Sequence, residues 1–350
     1  MPTLENTPLR LFHGDCVEVM TRLKEESIDA VVTDPPYALT DKYGPRIPQY
    51  GNGRGAQEER LRRGQSKGFM GLHWDGELPR VDAWRAVLRV LKPGGYMLTM
   101  GGTRTYHRLA CAVEDAGFEI RDCLMWLYGT GFPKGQGCLK PAYEPILLAR
   151  KPGKGVLPLG IDECRIPTSE TYHYKRKGGS PIHGGGMNCE ASAESHSAGR
   201  YPANVVHDGS DEVLEAFAAF GEKKAGVAVR RNGGGGKPGG NGRTTGEFAG
   251  GVGEDATYGG AGTAARFFYC AKASKSERGE GNGHPTVKPL ALMEWLVRLI
   301  SSPGQVVLDP FNGSGTTALA CLKQGRRYVG IEKEAEYLEI TKKRIQGMKE

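Results

Sequence analysis

The stretch "VVLDPFNGSGTTALA" at residues 306–320 decides the fold prediction, because it joins an apolar strand, a glycine turn and the start of a helix. Gly313 and Gly315 allow the backbone to turn tightly and to approach a ligand closely. Thr316 suits the first turn of the following helix. Roughly 20 residues further on, the strand "RRYVGIE" ends at Glu332, where a carboxylate can bind both hydroxyls of a ribose. The pattern predicts a nucleoside cofactor at the edge of a parallel sheet.

The residues of the turn narrow the choice of cofactor. A pyrophosphate-binding turn has a third glycine where this chain has Ala318. Lys237, in "GGGGKPGG", is followed by Pro238 and so does not complete a G-x-x-x-x-G-K-[ST] phosphate loop. S-adenosylmethionine carries no phosphate and requires only a shaped turn and an acid, so it is the predicted cofactor. A purely structural glycine turn in a doubly wound sheet is the alternative.

Strands and helices alternate at both ends of the chain. "LRLFHGD", "IDAVVTD", "YMLTMGG" and "FEIRDCLMWLY" have the pattern of strands, and "VDAWRAVLRVL" and "TYHRLACAVEDAG" have helical spacing. This alternation predicts an α/β fold with a mainly parallel sheet. Residues 151–283 are rich in glycine and basic side chains. We therefore expect residues 1–150 and 284–350 to form one catalytic fold, with 151–283 as an inserted, partly flexible region.

Composition and charge exclude several classes of protein. The 350 residues are 38% hydrophobic and carry a formal net charge of +7, which suits a nucleic-acid partner without establishing one. The eight cysteines form no C-x-x-C pair, so neither a zinc site nor a disulfide framework is expected, and no metal is predicted. The sequence has no apolar run long enough to span a bilayer and no signal-peptide pattern. A cytoplasmic location is the expectation.

A second informative stretch, "TDPPYALT" at residues 33–40, follows the apolar strand "IDAVV". An exocyclic nucleobase amine is a poor nucleophile, and positive charge grows on its nitrogen as it attacks a methyl sulfonium. Two acceptors on the amine hydrogens would orient the nitrogen and stabilise that charge. The Asp34 carboxylate supplies one acceptor and the Pro35 carbonyl the other. Pro36 stiffens the joint, and Tyr37 can stack on a base extruded from a duplex.

The order of these stretches resembles that of the amino-methyltransferases of DNA, specifically their permuted β-group. "DPPY" comes first, "HPTVKPL" at residues 284–290 follows, and "FNGSG" at residues 311–315 comes last. The resemblance covers about residues 11–150 and 284 to the C-terminus. It implies a circularly permuted, Rossmann-like sheet that uses S-adenosylmethionine, with a target-recognition region between the two matching parts.

The resemblance also implies roles for individual residues. Asp34, Pro35, Pro36 and Tyr37 would bind the target base. Asp15 in "HGDC" would contact the cofactor adenine, and Glu332 the ribose. For Lys288 the alternative is a solvated surface lysine. The remaining residues predicted to bind the cofactor lie near its methionine end or in the glycine turn: Thr286, Lys288, Pro289, Asp309, Phe311, Gly313, Ser314, Gly315 and Thr316.

The predicted reaction is transfer of a methyl group to N6 of adenine in double-stranded DNA. N4 of cytosine is the alternative, since it needs the same clamp, but cytosine enzymes of the family more often begin the clamp with serine. C5-cytosine methylation needs a thiol after a proline, and none of the eight cysteines follows one. An RNA or protein methylase is a remote alternative. A homodimer and a restriction endonuclease partner are left open, as are the recognition sequence and the role of residues 232–253.

Overall fold

The computed structural model describes residues 8–38, 77–131, 139–155, 157–168, 173–177, 190–194, 196–224, 261–271 and 287–348. The chain divides into two compact units. The first comprises Met1–Cys164, Ala203–Val213 and Tyr269–Glu350, and the second comprises Arg165–Pro202 and Leu214–Phe268. The three sequence segments 1–150, 151–283 and 284–350 stay a prediction.

Among the described residues, helices and strands alternate along most of the chain. The helices are α1 (Cys16–Thr21), α2 (Val81–Val90), α3 (Tyr106–Asp115), α4 (Asp211–Ala218), α5 (Leu290–Ile300), α6 (Thr316–Lys323) and α7 (Ala335–Gly347). The strands are β1 (Leu9–His13), β2 (Ile28–Thr33), β3 (Leu91–Met100), β4 (Glu119–Leu127), β5 (Tyr143–Arg150), β6 (His173–Lys177), β7 (Glu190–Glu194), β8 (Val205–His207), β9 (Lys223–Lys224), β10 (Ala261–Gly262), β11 (Tyr269–Cys270), β12 (Val306–Asp309) and β13 (Arg327–Glu332).

The first unit contains a nine-stranded sheet, with the strand order β1-β13-β12-β2-β3-β5-β4-β8-β11. Strands β1, β13, β12, β2 and β3 are mutually parallel. Strands β12 and β13 come late in the sequence but lie between β1 and β2, so the sheet is built from both ends of the chain. This confirms the predicted permuted α/β fold.

Strand β5 departs from the parallel pattern. It runs antiparallel to β3 on one side and to β4 on the other. No strand is predicted for "YEPILLAR" from the sequence, although its apolar run is buried from Pro145 to Ala149. The reversal brings the beginning of β5 to the edge of the sheet where the parallel strands end.

Both faces of the sheet are covered, as expected for parallel strands that read as continuous apolar runs. All six residues of β2 are buried. Ala30 and Val32 pack into one hydrophobic cluster with α5 and α6, and Val31 packs into another with α1, α2 and α3. Trp295 and Trp84 lie one in each cluster and are almost fully buried. The tight packing makes the ends of the central strands a rigid platform.

The second unit contains two short antiparallel pairs, β6 with β7 and β9 with β10. The Phe267 ring in this unit has the Arg200 guanidinium 4.7 Å from its centroid and the Arg266 guanidinium 4.4 Å from it. The segment 232–253 lies outside the described residues. Among the helices of the described ranges, none has the length and apolarity needed to cross a membrane.

Candidate active site

One cavity of about 1320 Å³ in the first unit lies where β1, β2, β12 and β13 end. Ligand sites in open α/β sheets occur at this position. Of the predicted site residues, Pro289 and Gly315 do not line the cavity, and Thr286 lies outside the described residues. The lining includes the others: Asp15, Asp34, Pro35, Pro36, Tyr37, Lys288, Asp309, Phe311, Gly313, Ser314, Thr316 and Glu332.

The glycine turn after β12 has the backbone conformation that its sequence predicts. Gly313 has φ +52° and Gly315 has φ +79°, in the left-handed region that favours glycine. A Cβ on Gly315 would lie 2.5 Å from the Cγ2 of Thr341 on α7, so the position is also closed sterically. The turn is held from β13 as well, because the Gly313 N–H donates to the Glu332 carboxylate at 2.6 Å.

Asp309, the last residue of β12, ties the turn to its neighbours. Its carboxylate accepts hydrogen bonds from the Thr33 hydroxyl at 2.6 Å, the Thr317 hydroxyl at 2.7 Å and the Phe311 N–H at 3.1 Å. Burial raises the pKa of Asp309 to about 6, and these hydrogen bonds work in the opposite direction. The residue thus connects the end of β2, which precedes Asp34, with the glycine turn and the start of α6.

Two further acids lie at the ends of neighbouring strands. Glu332 ends β13 and is buried, which raises the pKa of its carboxyl, while backbone N–H groups including that of Glu334 lower it. Each carboxylate oxygen has two acceptor positions, so the bonds from Gly313 and Glu334 leave capacity for ribose hydroxyls. Asp15 follows β1, is exposed to the cavity, and caps α1 by accepting from the Val17 N–H at 2.9 Å.

The side chains after β2 form a second polar group in the cavity. Asp34 follows the last residue of β2 directly, and its Oδ1 accepts from the Tyr37 hydroxyl at 2.7 Å. The Thr105 hydroxyl donates to the Tyr37 carbonyl at 3.0 Å, which fixes this loop against the segment after β3. Burial, followed by the charges of Asp34 and Glu144, raises the pKa of Tyr37 well above its usual value. Tyr37 is therefore a neutral hydrogen-bond donor.

Lys288 lies against this group, rather than in solvent as the alternative interpretation held. Its side chain is 8% exposed, and Nζ is 2.7 Å from Asp34 Oδ2. Burial lowers its pKa, but Asp34 and Glu144 outweigh that effect and raise the pKa above the usual lysine value. Lys288 is thus a charged ammonium beside the acid of the predicted clamp. Its predicted role at the methionine end of the cofactor stays a prediction.

Glu144 lines the cavity but is not among the residues predicted from the sequence. Its Oε2 lies 2.9 Å from the Tyr37 hydroxyl and 3.3 Å from Lys288 Nζ. The sequence pattern predicts site acids that follow strands, whereas Glu144 stands near the start of β5. An acid just before the apolar run "PILLA" would have been the signal, but only the antiparallel direction of β5 places it at this edge.

Comparison with known proteins shows which protein family this chain matches. The family model N6_N4_Mtase, described as DNA methylase, matches residues 28–343. That span is most of the chain. The chain belongs to this DNA methylase family. The family name joins N6 and N4 methylation, so membership makes the protein a DNA methyltransferase and leaves both target amines as alternatives.

Individual relatives of this DNA methylase are distant in sequence but similar in extent. Type II methyltransferase M.HpaI of Haemophilus parainfluenzae is 24% identical over 96% of this chain and 74% of its own length. Type II methyltransferase M2.DpnII of Streptococcus pneumoniae is 24% identical over 100% of this chain and 94% of its own. The structure of TTHA0409 from Thermus thermophilus, complexed with S-adenosyl-L-methionine, is 21% identical with a TM-score of 0.45, covering 96% of this chain and 93% of its own.

Proposed function

We propose that this DNA methyltransferase transfers the methyl group of S-adenosylmethionine to N6 of adenine in double-stranded DNA, after the base is flipped out of the duplex. One observation carries the proposal: Asp34 and the Gly313 turn line the same cavity. A methyl donor bound by the turn would therefore face a base amine bound by Asp34. The cavity of about 1320 Å³ exceeds the roughly 300–1,000 Å³ of small-ligand sites, so it can accept a cofactor and a base together.

The acids around the turn support a nucleoside donor without phosphates. Glu332 would bind the ribose hydroxyls and Asp15 the adenine of the cofactor, while Phe311 packs at 6.2 Å from the Trp84 ring and presents an apolar wall. The turn also lacks the third glycine of a pyrophosphate-binding turn, because Ala318 stands at that position. S-adenosylmethionine, a sulfonium with a ribose and no phosphate, matches this set of groups.

The clamp supports an amine as the acceptor of the methyl group. Asp34 would accept one amine hydrogen and the Pro35 carbonyl the other, which holds the nitrogen lone pair toward the sulfonium methyl. The positive charge that develops on nitrogen is then stabilised by acceptors fixed in advance. A thiol mechanism is disfavoured, because burial and the nearby Asp15 raise the pKa of Cys16, which lines the cavity, to about 12.

Adenine is proposed over cytosine because the clamp begins with aspartate. Expression in a host that lacks DNA methylation, followed by direct sequencing of modified bases, tests the base and yields the recognition sequence. We expect N6-methyladenine at one recurring sequence in cells that express the protein, and none in cells with the empty vector. Detection of N4-methylcytosine instead would correct the proposed target base and leave the proposed role of Asp34 and Pro35 unchanged.

A second experiment tests the class of substrate. The protein is incubated with labelled cofactor and DNA, RNA or bulk protein, and label in RNA or protein but never in DNA would overturn the proposal.

Two partner proposals remain from the sequence. A homodimer is tested by sedimentation of the purified protein with and without DNA. A restriction endonuclease partner is tested by whether DNA methylated by this protein becomes resistant to an endonuclease with the same recognition sequence.

A further inference from the structure

Two carboxylates in the cavity share the same two hydrogen-bond donors. Asp34 accepts from the Tyr37 hydroxyl and from Lys288 Nζ, each at 2.7 Å. Glu144 lies 2.9 Å from the same hydroxyl and 3.3 Å from the same ammonium. Both acids are largely shielded, with side chains 21% and 20% exposed. The four groups form one hydrogen-bonded cluster, and its arrangement around Asp34 bears directly on the proposed clamp.

The donors of this cluster can be redistributed between the two acids. Tyr37 remains neutral and has a single proton, which it can donate to one carboxylate at a time. Lys288 has three donor hydrogens and lies within 3.3 Å of both acids. A small rotation of either side chain therefore moves a hydrogen bond from Asp34 to Glu144 without leaving a donor unsatisfied.

The base-free arrangement conflicts with the proposed reaction at one point. Asp34 must accept a hydrogen from the target amine, whose nitrogen becomes positive as it takes the methyl group. Lys288 Nζ lies 2.7 Å from Asp34 Oδ2, so its ammonium would lie beside that nitrogen. Two positive charges that close together repel each other strongly in a site that is largely shielded from solvent. Methyl transfer is therefore favoured when Lys288 moves away from Asp34, and Glu144 is the acid placed to receive it.

We propose that Glu144 is a positioning residue for methyl transfer. It takes over Lys288 and the Tyr37 hydroxyl when the target amine binds Asp34, and so keeps the ammonium away from the reacting nitrogen. The inference rests on the proposed function, since it presupposes that Asp34 binds the amine. It assigns Glu144 a role in the rate of transfer, and none in binding the methyl donor.

Charge removal at Glu144 tests the inference. We expect Glu144→Gln to lower the single-turnover rate of DNA methylation at saturating cofactor roughly 10- to 100-fold. The dissociation constant for S-adenosylmethionine should stay within about 2-fold, because Glu144 acts at the clamp. Glu119→Gln is the matched control: Glu119 is also a strand acid, paired with Arg150 across β4 and β5 and placed outside the cavity. This control should methylate at the wild-type rate.

A double-mutant cycle separates positioning from a merely structural role. If Glu144 acts by drawing Lys288 away, then Glu144→Gln should cost less than about 3-fold in a Lys288→Met background. An equal loss in both backgrounds, or a wild-type rate for Glu144→Gln, would overturn the inference.

Glu144→Asp keeps the charge and provides the test if the Gln variant misfolds. We expect it to be faster than Glu144→Ala, and a slower rate would contradict the role of the charge.

The outcomes distinguish this inference from the proposed function. Absence of DNA methylation by the wild type and by Glu119→Gln alike would remove the proposed function itself. Normal methylation by the wild type, together with full activity of Glu144→Gln, would remove only the role of Glu144.

Discussion

Asp34 combines two properties that an amine clamp requires, an acceptor oxygen and a fixed position. The fixed position comes from its neighbours, since β2 is buried throughout and Thr33 donates to Asp309 at 2.6 Å. Asp34 lines the cavity that also contains the glycine turn. A carboxylate on a rigid strand end needs little reorganisation when charge develops on its partner.

Removing this carboxylate tests the clamp at the scale of one residue. We expect Asp34→Ala to lower the single-turnover methylation rate by at least about 100-fold, because the acceptor that stabilises the charged nitrogen is lost. The affinity for S-adenosylmethionine, measured by calorimetry, should change little. Turnover close to the wild-type rate would contradict the clamp.

We expect Glu332 to affect the affinity for the cofactor rather than the rate of methyl transfer. Glu332→Gln should weaken S-adenosylmethionine binding by roughly 1–3 kcal/mol, because charge-assisted hydrogen bonds to the ribose are lost. Glu334→Gln is a suitable control, since the contact of Glu334 with Glu332 is made by its backbone N–H and survives the change. An unchanged dissociation constant for Glu332→Gln would mean that the ribose lies elsewhere.

The raised pKa of Asp309 predicts that the free energy of unfolding depends on pH. Its pKa rises from 3.8 to about 6 on burial, so the folded protein holds this proton more tightly than the unfolded chain. The ionised, buried carboxylate therefore reduces the free energy of unfolding above pH 6, and stability is regained as the pH falls from about 6 to 4. Compared with Asp309→Asn, which does not titrate, the wild type should gain up to about 3 kcal/mol over this window. Urea unfolding of both proteins at several pH values measures the difference, and a difference independent of pH would refute the assignment.

At the scale of elements, the glycine turn depends on the left-handed backbone conformation of Gly315 and on the lack of space for a side chain there. Gly315→Ala would place a methyl group 2.5 Å from the Thr341 side chain on a residue with φ +79°. We expect a loss of about 1–3 kcal/mol in the free energy of unfolding, together with weaker cofactor binding. Gly347→Ala is the matched control on α7, because its added Cβ meets open space and a helical alanine stabilises by up to about 1 kcal/mol. Equal stability of the two variants would show that the turn tolerates a side chain.

The elements also show how far sequence alone can predict this protein. Strands β2, β12 and β13 were predictable because their residues are buried on both faces and read as apolar runs. Their terminal acids followed, since chain direction fixes where a parallel strand ends. Glu144 was not predictable in this way, because its place depends on the direction of β5, and strand direction is set by pairing with distant residues. Lys288 was predicted by resemblance to lie near the methionine end of the cofactor, but its contact with Asp34 depends on packing that no local pattern encodes.

At the scale of the whole molecule, a bound cofactor should stabilise the fold. Binding to the folded state alone adds about 2.7 kcal/mol to the free energy of unfolding at 100 times the dissociation constant. For a unit of this size that corresponds to a rise in Tm of roughly 5–10 °C. Thermal unfolding with S-adenosylmethionine measures the shift. ATP should give no such shift, because the turn lacks the phosphate-binding pattern. A comparable shift with ATP would contradict the choice of cofactor.

The pairing of β1 with β13 has a consequence for how the enzyme is made. His13 at the end of β1 contacts the Lys333 carbonyl, 320 positions later in the chain. Strand β1 leaves the ribosome well before its sheet partner β13, because the two strands lie far apart in the chain. A nascent or prematurely terminated chain that already carries Asp34 would lack the glycine turn and Glu332, which we propose bind the methyl donor. Such fragments should be chemically inert, so unfinished enzyme would not modify the genome during its own translation.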